Sequence, residues 1–501
     1  MMKNSISVST LFILTFSLTL SSCKPPEDHA GKEQSCNILF LISDDMNDWI
    51  GCLGGYPDAL TPNIDRLAAR SVLFEQAYCS APICNPSRAS VMSGMNPSTT
   101  GCYGNRQALR MSEVGFDVVT LPRYFSNNGY YSTGAGKITH GKFPDPASWD
   151  DFYPNLRTQG MQGARPPEQN LNGLDSENFD WGPLDVPDSA ARGAKLAQHT
   201  IQMMEKEYDQ PFFLACGWML PHLPWYAPRK YFDLYDPDSL AMPLIKEDDL
   251  DDLPAKALNY AENRYYRAVT AGGKEREGMQ AYLACISFID QQVGRVLDAL
   301  DASEHADNTI IVFWGDHGWH LGEKRHWSKA TLWEESARAP LMIAAPGIKP
   351  GKCKTPVSFL DIYPTLVELA GLDPNPALEG SSLVPLMKNP LSEWERPALT
   401  THGKGNHSLR TSRWRYTRYS DGGEELYDHS MDEMEWNNLA DDPAFAGVKE
   451  ELKQWLPDKD AEDVYVLDWP RETKKYWTWT LKAAERYHGK SVYPEDWDVS
   501  E

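Results

Sequence analysis

Apolar runs of strand length alternate with amphipathic segments of helix length along most of this chain. Asn37–Ser43 is almost continuously apolar, as expected of a central strand that is buried on both faces of a parallel sheet. Residues 211–217 and 309–315 form two further apolar runs that lead directly into polar residues. Between them, residues 279–300 carry apolar side chains at helical spacing, which predicts a buried amphipathic helix. The alternation predicts an α/β fold with a mainly parallel central sheet.

The pattern changes near residue 399 to short segments typical of an antiparallel sheet, at 408–411, 414–419 and 424–428. The last two are separated by Asp421-Gly422-Gly423, a turn sequence that predicts a hairpin. We therefore expect a large α/β domain over residues 36–386. A C-terminal subdomain over 387–501 would contain the small antiparallel sheet and an aromatic tail.

The N-terminal residues are typical of an export signal. Lys3 precedes a short apolar core at residues 11–20, and a membrane-spanning helix would need about 20 apolar residues. Leu20-Ser21-Ser22-Cys23 is similar to a bacterial lipobox, in which the cysteine becomes lipidated. We expect a lipoprotein-type signal peptide over 1–22, a lipid anchor on Cys23 as the only membrane attachment, and a tether over 23–35. The protein would then be exported and anchored in the bacterial cell envelope; ordinary cleavage near Ser22 is the alternative.

Charge and cysteine usage exclude several classes of protein. The formal net charge of -23 leaves no broad basic face, so nucleic acid is not an expected partner. An anionic ligand would have to be held by a local cluster of basic side chains and metal. The nine cysteines form no C-x-x-C pair, so we expect mostly buried thiols rather than a disulfide scaffold or a structural zinc site.

Acidic residues follow two of the predicted strands. Asp44-Asp45 comes directly after the first apolar run, and Asp316-His317 comes after the run at 309–315. The carboxyl ends of parallel strands are where open α/β sheets place ligands. Taken alone, such an acidic pair is more often a helix cap or a turn.

The most specific motif begins at Cys84 and reads Cys-Asn-Pro-Ser-Arg, continuing to Ser93-Gly94. It resembles the maturation signature of type I sulfatases, and the resemblance extends over roughly residues 37–440. Within that family the chain most resembles iduronate-2-sulfatases and bacterial polysaccharide sulfatases. The segments that carry this resemblance are residues 61–65, Thr99-Thr100-Gly101, Gly136-Lys137 and Pro221-His222. The resemblance implies an alkaline-phosphatase-like fold and a sulfuric ester hydrolase.

The resemblance also implies two non-standard components of the site. Cys84 would be oxidised to formylglycine by a sulfatase-maturating enzyme, and one hydroxyl of the hydrated aldehyde would attack sulfur. A calcium ion would be bound by Asp44, Asp45, Cys84, Asp316 and His317. Members of the family often have Asn at the position of His317, whereas the iduronate-2-sulfatase branch has His.

Further catalytic residues are implied by matching motifs. Arg88 would hold the hydrate and the metal pocket, Lys137 would bind a sulfate oxygen, and His140 would accept the proton of the second hydroxyl. His222 and Lys329 would lie beside the bridging oxygen, where either could protonate the leaving group. A single His or Lys would be read as part of a solvated loop, but their occurrence together favours catalysis.

The implied substrate is a sulfated carbohydrate, and we expect exo action on oligosaccharides. Iduronate-2-sulfatases have a Lys two residues before the histidine that matches His222, whereas this chain has Leu220, which argues against iduronate. Candidate substrate contacts are Arg106, Trp218 and His407. Two alternatives remain: a phosphonate or phosphodiester hydrolase of the same superfamily, and a non-catalytic glycan-binding surface lipoprotein.

Overall fold

The structure of the protein is a computed structural model that describes residues 1, 35–141, 143, 145–153, 163–176 and 178–464. By its contacts the chain divides into residues 1–34 and residues 35–501, and the account below concerns the second unit. The predicted signal peptide, Cys23, most of the tether and the aromatic tail beyond 464 lie outside the described residues. None of the helices within the described ranges is long and apolar enough to cross a membrane.

The strands of the described residues are named in chain order. They are β1 (Asn37–Ser43), β2 (Val72–Phe74), β3 (Ala77–Tyr78), β4 (Tyr131–Gly136), β5 (Asp151–Tyr153), β6 (Trp181–Leu184), β7 (Phe212–Trp218), β8 (Trp225–Pro228), β9 (Thr309–Gly315), β10 (His320–Leu321), β11 (Trp327–Ser328), β12 (Leu341–Ala344), β13 (Gly351–Cys353), β14 (Val357–Ser358), β15 (Ala398–Thr401), β16 (His407–Arg410), β17 (Trp414–Arg418) and β18 (Glu424–Asp428).

The helices are named in the same way. They are α1 (Pro62–Ala69), α2 (Cys84–Ser93), α3 (Pro97–Thr100), α4 (Leu121–Asn127), α5 (Arg192–Met204), α6 (Arg229–Phe232), α7 (Ala255–Leu258), α8 (Arg264–Gly272), α9 (Glu275–Asp301), α10 (Glu334–Ala337), α11 (Ile362–Leu369), α12 (Val384–Lys388) and α13 (Ala446–Lys453). Short 3₁₀ helices lie at Leu109–Met111, Pro146–Ser148, Asp188–Ala190, Glu323–Arg325, Phe359–Asp361 and Pro443–Phe445.

A central sheet of eight strands has the order β13-β2-β12-β9-β1-β7-β4-β5. β1 lies in its middle and pairs in parallel with β7 and β9, while β12 runs antiparallel to both β9 and β2. The other pairs in the sheet are parallel, so the prediction of a mainly parallel sheet is confirmed. Every residue of β1 is buried, in agreement with its continuous apolar sequence.

Helices cover both faces of this sheet and complete its two cores. Leu39 and Leu41 belong to the core on one face, and Ile38, Phe40 and Ile42 belong to the core on the other, as the alternation of side chains along a strand requires. The predicted helix over 279–300 lies within α9, whose apolar stripe packs into the first of these cores. α2 and α11 contribute to the second core.

A smaller antiparallel sheet, β15-β16-β17-β18, follows near the C-terminus. Its three predicted strands are confirmed, and β15 adds a fourth. Leu409, Tyr416 and Leu426 pack from this sheet against Leu452 of α13. Thr400 and Thr401 donate hydrogen bonds to the backbone oxygens of Cys79 and Ser80, so this sheet is fastened beside the segment that leads into α2.

Candidate active site

Two acidic segments meet at the carboxyl edge of the central sheet. β1 and β9 are adjacent and parallel, with Ser43 aligned with Gly315, so the residues that follow each strand are neighbours. The backbone N–H of Asp45 donates to Asp316 Oδ1 at 2.9 Å. Asp44, Asp45 and Asp316 are all fully buried. The sheet topology therefore brings Asp316 to the consecutive pair Asp44-Asp45, although they are far apart in the sequence.

Helix α2 begins at Cys84 and brings the thiol and Arg88 to these carboxylates, because residues four apart lie on one helix face. Arg88 is fully buried; its Nε donates to Asp316 Oδ2 at 2.8 Å and its Nη2 to Asp44 Oδ1 at 3.3 Å. Ser87 Oγ donates to the backbone oxygen of Asp316 at 2.5 Å. The helix is thus fixed directly against the end of β9.

Two lysines complete the charge of the cluster. Arg88 Nη1 donates to the backbone oxygens of Lys137 and Ile138, which holds the segment after β4 in place, and Lys137 Nζ donates to Asp44 Oδ2. Lys329 Nζ lies 2.5 Å from Asp45 Oδ1 and 3.1 Å from Cys84 Sγ. Three buried carboxylates are therefore matched by Arg88 and the two lysines.

His317 presents its second ring nitrogen to the cluster. Its Nδ1 lies 3.0 Å from the backbone oxygen of Gly318, and its Nε2 lies 3.3 Å from Asp45 Oδ1 and 3.5 Å from Cys84 Sγ. Donation from Nδ1 to the carbonyl leaves Nε2 free to act as a ligand in the neutral ring. Burial lowers the pKa of His317, but the Asp316 carboxylate and the Cys84 sulfur raise it to about 9, so below that pH a cation would have to displace a proton from the ring.

The donor set fits a hard divalent cation. One ligand atom from each of Asp44, Asp45, Cys84, Asp316 and His317 lies within 4.8 Å of the others. Asp45 Oδ2 is fully buried and has no hydrogen-bond partner among the described residues. An unsatisfied buried carboxylate oxygen is costly unless a cation binds it, and calcium prefers several oxygen ligands.

The electrostatic environment of Cys84 stabilises a negative charge. Burial and the Asp44 carboxylate raise the pKa of the Cys84 thiol, while Lys137 and Lys329 lower it. The resulting pKa lies well below the usual value for a thiol. An oxygen in place of this sulfur, as the Cys84 motif predicts, would meet the same charges. The same positive surroundings would therefore stabilise an anionic oxygen there.

His222 lies close to the same cluster, in the loop that follows β7. Ser43 Oγ donates to the backbone oxygen of Leu220 at 2.9 Å, and Trp225 Nε1 donates to that of Pro221 at 2.5 Å. His222 Nδ1 lies 2.6 Å from the backbone oxygen of Leu223. Burial lowers the pKa of His222, but the Asp45 carboxylate contributes to a net rise. A raised pKa favours the protonated ring, which can act as an acid.

His140 lies beside these residues rather than within the group of candidate ligands. It lines a small cavity next to α2, together with Asn85 and Arg110. Asn85 directly follows Cys84, so the cavity adjoins the site. The structure thus brings Cys84, Arg88, Lys137, His222 and Lys329 together around the acidic cluster and places His140 on its flank.

Comparison with known proteins identifies the family. A family model described as sulfatase matches residues 36–372, and a second, described as the C-terminal part of N-sulphoglucosamine sulphohydrolase, matches residues 322–462. The chain belongs to the sulfatase family. As a member of it, the chain is a sulfuric ester hydrolase, in agreement with the prediction from the Cys84 motif.

Individual relatives agree with this result. A sulfatase of Formosa agariphila is 38% identical over 493 residues, which cover 92% of this chain and 95% of the relative. Human iduronate 2-sulfatase is 31% identical over 68% of this chain and 70% of its own length. A phosphonate monoester hydrolase from Silicibacter pomeroyi shares the fold, with a TM-score of 0.70, 23% identity, and coverage of 84% of this chain and 94% of its own.

Two of the predicted substrate contacts are buried in this sulfatase and remain predictions. Trp218 has no exposed surface; it belongs to the core, and its Nε1 donates to the backbone oxygen of Gly193. His407 is also fully buried, between Thr401 and Asp460. Arg106 is exposed, and the neighbouring Asn105 accepts a hydrogen bond from the backbone N–H of Asn85, so Arg106 remains a candidate at the rim.

Several contacts of this sulfatase site could not be found from the sequence. Tyr282 of α9 donates to the backbone oxygen of Asp45, and the ring of Trp319 lies 5.4 Å from Lys329 Nζ. The spacing along α9 identified Tyr282 only as a core position. The one available signal was its hydroxyl, since a buried Tyr needs a hydrogen-bond partner.

Proposed function

We propose that this chain releases sulfate from a sulfated glycan, with Cys84 matured to formylglycine as the nucleophile and a calcium ion bound beside it. The convergence on Cys84 carries the proposal. Lys329 and His317 lie within 3.5 Å of its sulfur, and Asp45, which lies 3.7 Å away, has an unpartnered oxygen. A buried structural cysteine would have no need of such surroundings.

Asp44, Asp45, Asp316 and His317 would hold the calcium ion together with the modified Cys84. When bound, the ion would act as a Lewis acid that lowers the pKa of a hydroxyl at position 84 and offsets charge on the sulfuryl oxygens. Arg88 keeps Asp44 and Asp316 in place through its two short contacts. Its charge therefore acts on the ligand carboxylates and not on the substrate alone.

The remaining charged groups have separate roles in sulfate ester cleavage. Lys137 lies on the Asp44 side of the pocket and Lys329 on the Asp45 side, so both can neutralise oxygens of a bound sulfate group. Cleavage of the S–O bond leaves an alkoxide that must gain a proton. His222 and Lys329 are the groups that would donate it. His140, which lines the cavity beside Asn85, would accept the proton whose loss regenerates the aldehyde.

The depth of the site supports exo action. Asp44, Asp45 and His317 have no exposed surface, whereas the Lys329 and Lys137 side chains are 13% and 9% exposed. The cluster therefore reaches solvent through Lys137, Lys329 and the partly exposed His222. A terminal sugar can enter such a pocket more easily than an internal unit of a polymer.

Two observations narrow the range of possible substrate sugars. The relatives include human iduronate 2-sulfatase, and iduronate is a uronic acid, which supports a carbohydrate substrate. Leu220, however, is an apolar residue that packs partly buried against the core, where iduronate-2-sulfatases have Lys. We propose that the substrate is a sulfated sugar other than iduronate. The predicted signal peptide and Cys23 support hydrolysis outside the cytoplasm by a lipid-anchored enzyme.

The direct test is a comparison of matched substrates. Purified protein from the native host should release sulfate from at least one member of a panel of sulfated mono- and disaccharides, and Cys84→Ala should release none. Short oligosaccharides should react faster than the intact polymer. Faster cleavage of a phosphonate ester than of the matched sulfate ester would contradict the proposal. So would wild-type protein that binds a sulfated glycan but hydrolyses no ester.

A further inference from the structure

The backbone of Asp45 adopts an unusual conformation at the centre of the site. Its φ is 63°, in the left-handed region that residues other than glycine rarely occupy. Such a conformation costs free energy and persists only where neighbouring groups enforce it. Relaxation of φ would rotate the Asp45 carboxylate away from Cys84 and Lys329.

Two hydrogen bonds enforce this conformation, one on each side of the residue. The N–H of Asp45 donates to Asp316 Oδ1 at 2.9 Å, and its carbonyl oxygen accepts a hydrogen bond from the Tyr282 hydroxyl at 2.7 Å. Asp316 is itself a candidate ligand, so its oxygens would be shared between the Asp45 N–H and a bound ion. The Tyr282 contact is the one that comes from outside the ligand set.

Tyr282 is well placed to act as a rigid support. Its hydroxyl also accepts a hydrogen bond from the backbone N–H of Asn47 at 2.9 Å, so one phenol bridges two peptide groups of the same turn. The side chain is fully buried in the middle of α9, and its ring makes edge contacts with Trp49 and Trp225. The long helix and the two rings therefore fix the position of the hydroxyl.

We propose that Tyr282 is a positioning residue for the cation site, which it serves by holding the Asp45 turn in its left-handed conformation. Tyr282 touches neither the substrate position nor Cys84, so it acts only through Asp45. The inference rests on the proposed function for the identity of the cation. Without the hydroxyl, the Asp45 carbonyl and the Asn47 N–H would both be buried and unsatisfied, and the turn would relax to recover hydrogen bonds.

The experiment compares Tyr282→Phe with a matched control, Tyr235→Phe. The Tyr235 hydroxyl is also buried and also makes two contacts, with the backbone N–H of Leu60 at 3.0 Å and with Ser287 Oγ at 2.6 Å, but it supports no candidate ligand. Both substitutions keep the aromatic ring and remove one hydroxyl. Calcium affinity is measured by isothermal titration calorimetry on metal-stripped protein, and folding is checked by circular dichroism.

We expect Tyr282→Phe to weaken calcium binding by about tenfold, the lower end of the effect seen for residues that orient metal ligands, and Tyr235→Phe to change it less than twofold. Incorporation of 3-fluorotyrosine at position 282 keeps the hydroxyl and should keep the wild-type affinity. Equal calcium affinities of the two Phe variants would overturn the role of Tyr282, and so would a loss of affinity in the fluorotyrosine protein. Wild-type protein that binds calcium but releases no sulfate would contradict the proposed function and leave the comparison of variants valid.

Discussion

Two buried clusters of carboxylates and basic side chains lie in this protein, and they differ in how completely their oxygens are satisfied. The catalytic cluster contains Asp44, Asp45, Asp316 and His317 with Cys84. The second, which we call the Arg415 cluster, contains Glu334, Glu435, His429 and Arg415 and joins α10 to the C-terminal sheet. Both groups have the residue types and the proximity of a metal site.

In the Arg415 cluster each carboxylate oxygen has a partner. Glu334 accepts hydrogen bonds from Tyr78 and Arg415. Glu435 accepts hydrogen bonds from His429 and the backbone N–H of Glu334, and it forms an ion pair with Arg415. Burial raises the pKa of Glu435, but the Arg415 guanidinium outweighs it, so the net pKa is lowered. No oxygen remains for an ion, and the cluster is explained as a buried ion pair that fastens the C-terminal sheet.

In the catalytic cluster Asp45 Oδ2 has no partner among the described residues, although lysines and Arg88 surround its neighbours. From this comparison we infer that proximity of acidic residues alone does not define a cation site. The decisive feature is a buried oxygen that the protein itself leaves unsatisfied.

The largest predicted difference between the clusters is in catalysis. Cys84→Ala should reduce sulfate release by at least about 10⁴-fold, because removal of a nucleophile removes the covalent route. Glu435→Gln should keep kcat within about twofold. Steady-state assays of sulfate release on the preferred sugar test both; full activity of Cys84→Ala would break the assignment of the nucleophile.

The Arg415 cluster should instead dominate stability. Arg415→Met leaves Glu334 and Glu435 buried without their cation and should lower the free energy of unfolding by about 3–5 kcal/mol. Arg413→Met is the matched control, since Arg413 pairs with Asp428 while its side chain is 58% exposed, and it should cost less than about 1 kcal/mol. Urea denaturation measures both, and equal effects would mean that the Arg415 cluster is not a buried ion pair.

Removal of metal should affect the catalytic cluster alone. Calcium present at a free concentration of about 100 times its Kd should add about 2.7 kcal/mol to the free energy of unfolding, and a chelator should remove that gain together with activity. The Glu435→Gln variant should show the same gain. If the calcium-dependent gain in stability disappears in Glu435→Gln, the ion binds in the Arg415 cluster and the assignment to the catalytic cluster is contradicted.

The smallest predicted effect is on the pH dependence of stability. The folded-state pKa of Glu435 is lowered from its ordinary value of 4.5, so its contribution to stability is present above pH 4.5 and is lost as the pH falls below it. One such proton changes the slope of the free energy of unfolding against pH by at most about 1.4 kcal/mol per pH unit. Denaturation between pH 5 and pH 3 should therefore show a shallower loss for Glu435→Gln than for wild-type protein. A steeper loss in the variant would contradict the pairing of Glu435 with Arg415.

Local sequence patterns predicted the elements that carry the catalytic cluster. The apolar runs of β1 and β9 identified two central strands, and parallel pairing then brought Asp44 and Asp316 to one edge. Cys84 and Arg88 are four residues apart, and both lie on one face of α2. These inferences succeeded because strand period, helix period and strand ends are properties of short segments.

Contacts between distant segments could not be predicted in this way. The predicted apolar run ended at residue 217, but β7 extends to Trp218 in register with Ser43, and the ring of Trp218 packs into the core. Arg415 and Glu334 are 81 residues apart and meet only because β17 lies beside α10. The left-handed turn at Asp45 and its hydrogen bond from Tyr282 likewise depend on the packed structure.

The most direct test of the account is a calcium titration of metal-stripped protein by isothermal titration calorimetry, carried out on wild type, Asp45→Asn and Glu435→Gln. We predict one bound ion in wild type and in Glu435→Gln, and no measurable binding in Asp45→Asn, because the unsatisfied oxygen of Asp45 defines the site. Binding that survives in Asp45→Asn and is lost in Glu435→Gln would contradict the account.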